Sequence, residues 1–188
     1  MKKSVLFALA VLLTAAAGFG QGKFFTKGGK INFDAEGELD DLEEIKAVSN
    51  TAACVYDAAS GNMEWSVLMK SFKFKNALMQ EHFNENYMES QKYPKAIFKG
   101  QVADFQKINL AKDGEYPATV NGKLTLHGVT KDISAKGKFQ VKNGVVTAAS
   151  DLKIRLADYS IKVPSVVGNK IADEVKVFIN ATLEPLKK

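Results

Sequence analysis

The chain has 188 residues, 26 Lys and Arg against 21 Asp and Glu, a formal net charge of +5 and one Cys. Lysines interspersed with carboxylates exclude the concentrated basic element that a nucleic-acid surface needs. A lone Cys excludes an intramolecular disulfide, so stability must come from burial, and the length allows one domain with a sizeable core.

Residues 1–20 read as a signal peptide. Lys2 and Lys3 form a charged start, Val5 to Ala17 an apolar run, and Gly18 and Gly20 the small residues a signal peptidase needs, with cleavage before Gln21. The apolar run is shorter than the about 20 residues of a membrane span. No stable span is therefore expected once the leader is removed. Without Lys2 and Lys3 the charge falls from +5 to +3. Residues 21–188 are expected to form a single domain, exported to the periplasm or beyond.

Phe24-Phe25 and Ile31-Phe33 suggest two short strands around Gly28-Gly29. The six carboxylates between Glu36 and Glu44 suggest a loop or rim. Ile45 to Tyr56 is compatible with strand or helix, and its β-branched and aromatic content favours a strand. Cys54 lies in a run of small apolar residues and is expected to be a buried, inert thiol.

Period-two alternation dominates after Met63. Trp65, Val67 and Met69 share one face. Phe98, Gly100 and Val102 repeat the pattern, followed by Val120, Gly122, Leu124 and Leu126, and then by Ile133, Ala135, Gly137, Phe139 and Val141. Val146, Ala148, Leu152, Ile154 and Leu156 form the next stripe. Val175, Val177, Ile179, Ala181 and Leu183 form the last, in which Phe178 breaks the polar outer face. Each stripe marks a strand with one buried and one wet face. Turn residues separate them at 59–62, 112–114 and 142–144, and Asn143-Gly144 is a strong hairpin signal.

One helix interrupts the strands. Met79, Phe83 and Tyr87 recur at intervals of four over Ala77–Glu89, Asn76 can cap the start, and Pro94 prevents continuation. Met88 is expected on the outer side.

Eight to ten strands with one short helix leave too little material to cover an open sheet. Closure into an antiparallel β-barrel removes the edges and buries the apolar faces. Near eight strands the interior holds either packed side chains or one small ligand. Small inward residues such as Gly100, Gly122, Gly137 and Ala148 favour an apolar tunnel. The alternative is a core filled by Phe, Trp and Met. In the tunnel reading, Gly137→Phe or Ala148→Phe should block the space while leaving the fold intact. The lining is expected from Trp65, Val67 and Met69; Met79 and Phe83 of the helix; Phe98, Leu124, Leu126 and Phe139; and Leu152, Ile154, Val177 and Ile179.

The two histidines lack the clustered Cys or carboxylates of a metal site. His127, before Gly128, reads as fixing a turn, and His82 as lying near the buried helix face. No nucleophile elbow, phosphate loop or His-Glu-x-x-His motif is present. No catalytic residue or cofactor is indicated.

The His82-Phe83 helix, Lys92-Tyr93-Pro94 followed by Phe98, and the string from Gly122 to Lys131 together resemble the YceI-like family over roughly Gly61–Leu183. The chain looks like a divergent bacterial member, because residues 24–60 lack the His-Ser pair with which members usually open. The resemblance implies an all-β, lipocalin-like antiparallel barrel with one short helix at about 77–89. It also implies a secreted or periplasmic protein holding a polyisoprenoid or fatty-acyl lipid in an apolar tunnel. Some relatives pair up, which leaves a homodimer open. A lipid-free structural or stress-related barrel is the alternative, and an enzyme the least favoured.

Overall fold

The computed structural model describes residues 22–36, 45–164 and 171–186. The expected leader and most of the acidic run lie outside them. Strands β1 (Lys23–Glu36), β2 (Lys46–Asp57) and β3 (Asn62–Leu68) are followed by a two-residue β4 (Lys73–Phe74) and helix α1 (Ala77–His82). Strands β5 (Lys95–Val102), β6 (Gly114–Leu126), β7 (Val129–Lys142), β8 (Val145–Arg155) and β9 (Ile171–Pro185) complete the chain.

All pairings are antiparallel, in the order β1-β9-β8-β7-β6-β5-β3-β2, and β2 returns to β1 to close an eight-stranded barrel. β4 is a short annex on the start of β2, with Ala47 facing Phe74. The meander and its closure agree with the expected barrel. Ile45–Tyr56 is strand rather than helix.

β1 is one strand, not two. Its ladder with β2 slips between Thr26 and Ile31, around the glycines read as a break. The slip is a β-bulge with a visible cause. A Cβ on Gly29 would meet the Trp65 ring at 2.9 Å and the Ala52 carbonyl at 2.9 Å, so the backbone yields space to the indole. On β2 the inward positions change phase, from Ala47 and Ser49 to Ala52, Cys54 and Tyr56, all buried. An inserted residue keeps both halves facing inward.

The two ends of the barrel differ. At one end Phe24, Tyr56, Val102, Phe139, Val141, Val146 and Leu183 form a packed floor. The β5–β6 connection adds Leu110, and Phe105 packs beneath Gly61. Asn143 and Gly144 both have positive φ (51° and 75°), as a primed hairpin turn requires. Asp113 Oδ2 accepts from the Asn143 N–H at 3.0 Å and ties two floor turns together.

At the other end lie α1 and the β6–β7 turn. The Asn76 side chain accepts from the Leu78 and Met79 N–H groups, the expected N-cap. The α-helical turns end at His82. Phe83–Tyr87 then forms a π-turn. The wider turn swings Met88 inward, where it is 5% exposed, against the expected outward position. His82, expected near the buried face, is instead exposed with Asn86.

Candidate ligand cavity

Inward-facing side chains above the floor do not meet across the barrel. They leave an apolar cavity of about 1030 Å³. The register sets its walls in rows. Ile31 faces Ile179 and Ile179 faces Ser150; one step higher, Phe33 faces Val177 and Val177 faces Leu152. Trp65 faces Phe98 and Phe98 faces Leu124 on the opposite wall. Trp65 packs against both the floor and the upper cluster and marks where solid packing gives way to open space.

Every residue expected on the lining borders this cavity. Trp65, Val67, Met69, Phe98, Leu124, Leu126, Phe139, Leu152, Ile154, Val177 and Ile179 do so from the strands, and Met79 and Phe83 from the helical segment. Phe33, Phe72, Phe74, Tyr87 and Met88 also border it. Strand alternation missed Phe33, Phe72, Phe74 and Met88, which lie in the bulged β1, the β3–β4 link, the two-residue β4 and just after the π-turn. Tyr87 shares the helix stripe of Met79 and Phe83. A local signal existed in the aromatic spacing Phe72, Phe74 and Phe83, but not the geometry. The rings of Phe33, Phe72, Phe74 and Phe83 pack on one another with centroids 5.1–5.9 Å apart.

The small inward residues do not all contribute empty space. The Phe98 ring tip covers both Gly100 and Gly122. Gly137 sits against the Ala149 carbonyl and Ser150, leaving no room for a Cβ. Ala148 is 7% exposed in the packed floor. Gly137 and Ala148 do border the cavity, but a side chain on Gly137 would first displace the Ala149 carbonyl, so Gly137→Phe would not leave the fold untouched as residue size alone suggests.

The cavity interior is electrically quiet. Lys46, His82 and Lys138 border it, and all are exposed. Lys138 points to Glu115 at 2.8 Å and Lys46 to Asp34 at 3.9 Å. Burial pushes the Tyr87 phenol up from its ordinary range. It also raises Cys54 to about 12, keeping this buried thiol protonated and inert. No grouping of three metal-ligating side chains occurs among the described residues. Outside the wall, Lys30, Lys136, Lys138 and Asn180 border a shallow groove, and Phe178 lines it, 46% exposed.

His127 does more than fix its own turn. It is 9% exposed with φ +50°. Nδ1 lies 3.1 Å from the Tyr159 carbonyl oxygen and Nε2 3.1 Å from Glu89 Oε1. The ring thus bridges two segments that are distant in sequence. The Tyr93 ring stands edge-on at 4.5 Å and occupies the space where a Gly128 side chain would begin. Tyr93-Pro94 and His127-Gly128 are thus one packed unit that joins the helical segment, the β6–β7 turn and the chain after β8.

The model of the YceI-like domain matches residues 15–183. The chain belongs to the YceI-like domain family. Among curated proteins no sequence matches it. Solved structures share the YceI-like fold at low identity. A polyisoprenoid-binding domain from Saccharophagus degradans, implicated in plant cell wall breakdown, superposes with a TM-score of 0.75 at 18% identity, covering 88% of this chain and 99% of its own. BcnA of Burkholderia cenocepacia gives 0.67 at 15%, covering 83% and 96%. The Campylobacter jejuni YCEI protein gives 0.55 at 16%, covering 80% and 90%. For this YceI-like chain, the family's barrel comes with a hollow upper half and a packed floor.

Proposed function

We propose that this protein binds a long-chain apolar lipid of the polyisoprenoid class inside its barrel, for carriage or storage, after export through its N-terminal leader. The observation that carries this reading is the apolar cavity of about 1030 Å³ above a packed floor. It stands at the upper end of the roughly 300–1,000 Å³ of ordinary ligand sites. The family and the polyisoprenoid-binding domain of Saccharophagus degradans support the same ligand class.

The physics selects for chain length. Each buried methylene contributes about 0.8 kcal/mol, while association costs on the order of 4–15 kcal/mol. About ten carbons merely offset that cost, so tight retention needs a longer chain. With only exposed charged groups at the cavity's border, shape and burial select the cargo, and no step of bond chemistry is assigned to the barrel. No helix among the described residues is long and apolar enough to cross a membrane.

The test is organic extraction of protein purified from its native host, followed by mass spectrometry. A stoichiometric long-chain lipid in repeated extracts is the expected result. Extracts free of lipid, together with no uptake from vesicles, would leave a lipid-free structural barrel as the better account.

A further inference from the structure

The ladder between β7 and β8 runs from Lys142–Val145 to Lys136–Asp151 and stops there. Both strands continue. β7 stays paired with β6 up to Val129–Leu126, and β8 stays paired with β9 up to Arg155–Glu174. The wall therefore splits over its upper part between two strands that each keep their other neighbour. Ile133 and Ala135 face the split from one side, and Leu152 and Ile154 from the other. All four are half-buried and line the cavity.

The split is pinned at both ends. At its base Ser150 Oγ donates to the Lys136 carbonyl at 2.8 Å. At its top His127 Nδ1 meets the Tyr159 carbonyl, linking the β6–β7 turn to the chain that follows β8. The β2–β3 ladder also stops short, at Ala53–Ser66, but there β4 takes up pairing with β2 at Ala47 and Val48. An unpaired strand edge is a liability that folded proteins usually cover; the turn at Leu156–Tyr159 packs against β7, and the rest of the two edges flanks the apolar cavity.

We propose that this split is a lateral port through which the apolar chain of the ligand slides into the cavity, with the His127–Tyr159 contact as its latch. The inference rests on the lipid-binding reading above. A chain admitted sideways meets apolar side chains along its whole length. A chain threaded from the helical end must part the mutually packed rings of Phe33, Phe72, Phe74 and Phe83. Charged residues flank the port outside: Lys153 and Arg155 both lie near Glu174, and Asp132 pairs with Lys123. They keep the outer surface wet without closing the slit.

Cysteine pairs test this. Ser134 and Lys153 are exposed and would face each other if the ladder continued by two more residues. Ser134→Cys with Lys153→Cys closes the port by a disulfide, or by a bis-maleimide where the sulfurs do not reach. Gln140→Cys with Thr147→Cys, a pair already in register in the closed part, is the control. Cys54 is buried and does not interfere. The readout is the transfer rate of a dansyl-labelled farnesyl chain from phosphatidylcholine vesicles. Closing the port should slow transfer about ten-fold or more, as expected when opening limits the rate. The control pair should have no effect, reduction of the disulfide should restore the rate, and His127→Asn should raise it. Equal rates in bridged and unbridged protein that both bind the probe would overturn the port and leave lipid binding standing. No transfer to any form, wild type included, would overturn lipid binding and the port with it.

Discussion

The tip of the Phe98 ring occupies the space where a side chain on Gly122 would begin. A Cβ there would lie 2.8 Å from Phe98 Cζ and 2.5 Å from the Gly100 Cα on the facing strand. Gly100 and Gly122 are paired across β5 and β6, so one ring covers two bare backbone positions. Such aromatic cover restores the burial that glycine in a strand gives up.

Gly122→Ala should therefore destabilise the barrel by about 1–3 kcal/mol through overpacking against backbone. Phe98, being half-buried, should cost less than the roughly 3–5 kcal/mol of a fully buried Phe→Ala change. In a urea-unfolding cycle the double variant should lose less than the sum of the two singles, because they share one contact. Additive losses would show that ring and glycine do not interact.

Filling the void should separate binding from stability. Val177 is half-buried on the cavity wall. Val177→Trp should reduce the lipid bound per protein with little change in the unfolding midpoint. Val146→Phe, placed in the packed floor and not on the cavity wall, should cost about 1–3 kcal/mol instead. If both variants unfold alike and bind alike, the upper half is packed in solution.

Alkaline pH should weaken the floor first. Burial raises Cys54 from 9.0 to about 12. It also raises Tyr56 from 10.0 to about 12, with the Asp57 carboxylate adding to the effect. Both groups stay neutral in the folded state while the unfolded chain ionises. Their contribution is thus full below pH 9 and falls as pH rises from 9 towards 12, with Tyr56 joining above 10. The slope is at most about 1.4 kcal/mol per pH unit for each group. Urea midpoints measured from pH 8 to 11 should show this decline, and Cys54→Ala should remove its earlier part. A flat profile in the wild type would mean that neither group is desolvated as described.

Removing the imidazole should loosen a distant turn. His127→Asn keeps a residue that tolerates positive φ but loses the contacts to Tyr159 and Glu89. The expected cost is about 1–3 kcal/mol. Hydrogen exchange should quicken at Ser160 and Ile161, whose N–H groups close the turn over Leu156–Tyr159. Unchanged protection there would show that His127 does not hold the segment after β8.

The barrel was legible from sequence because its signals are local. A strand declares its inner face every second residue, so Trp65 and Val67 or Leu152 and Ile154 could be placed inward without knowing their partners. The Asn76 cap was equally readable, since the N–H groups that donate to its side chain lie two and three residues away. Where a local irregularity changes the phase, the same reasoning failed. The π-turn moved Met88 inside and left His82 outside, and the bulge at Gly29 joined two apparent strands into one.

The sequence by itself determined which faces are apolar, where the chain turns and that the faces must close on one another, because alternation and turn chemistry act over a few residues. Only the tertiary structure decided what fills the closed space. Gly100 and Gly122 look like room in the sequence and are covered by Phe98. His127 looks like a turn residue and meets Glu89 and Tyr159, 38 and 32 positions away. The split between β7 and β8 has no mark in either strand, since both remain fully patterned and paired on their other sides. Cavity, latch and gap depend on how distant segments are held by the curvature and register of the whole barrel, and no local pattern carries that information.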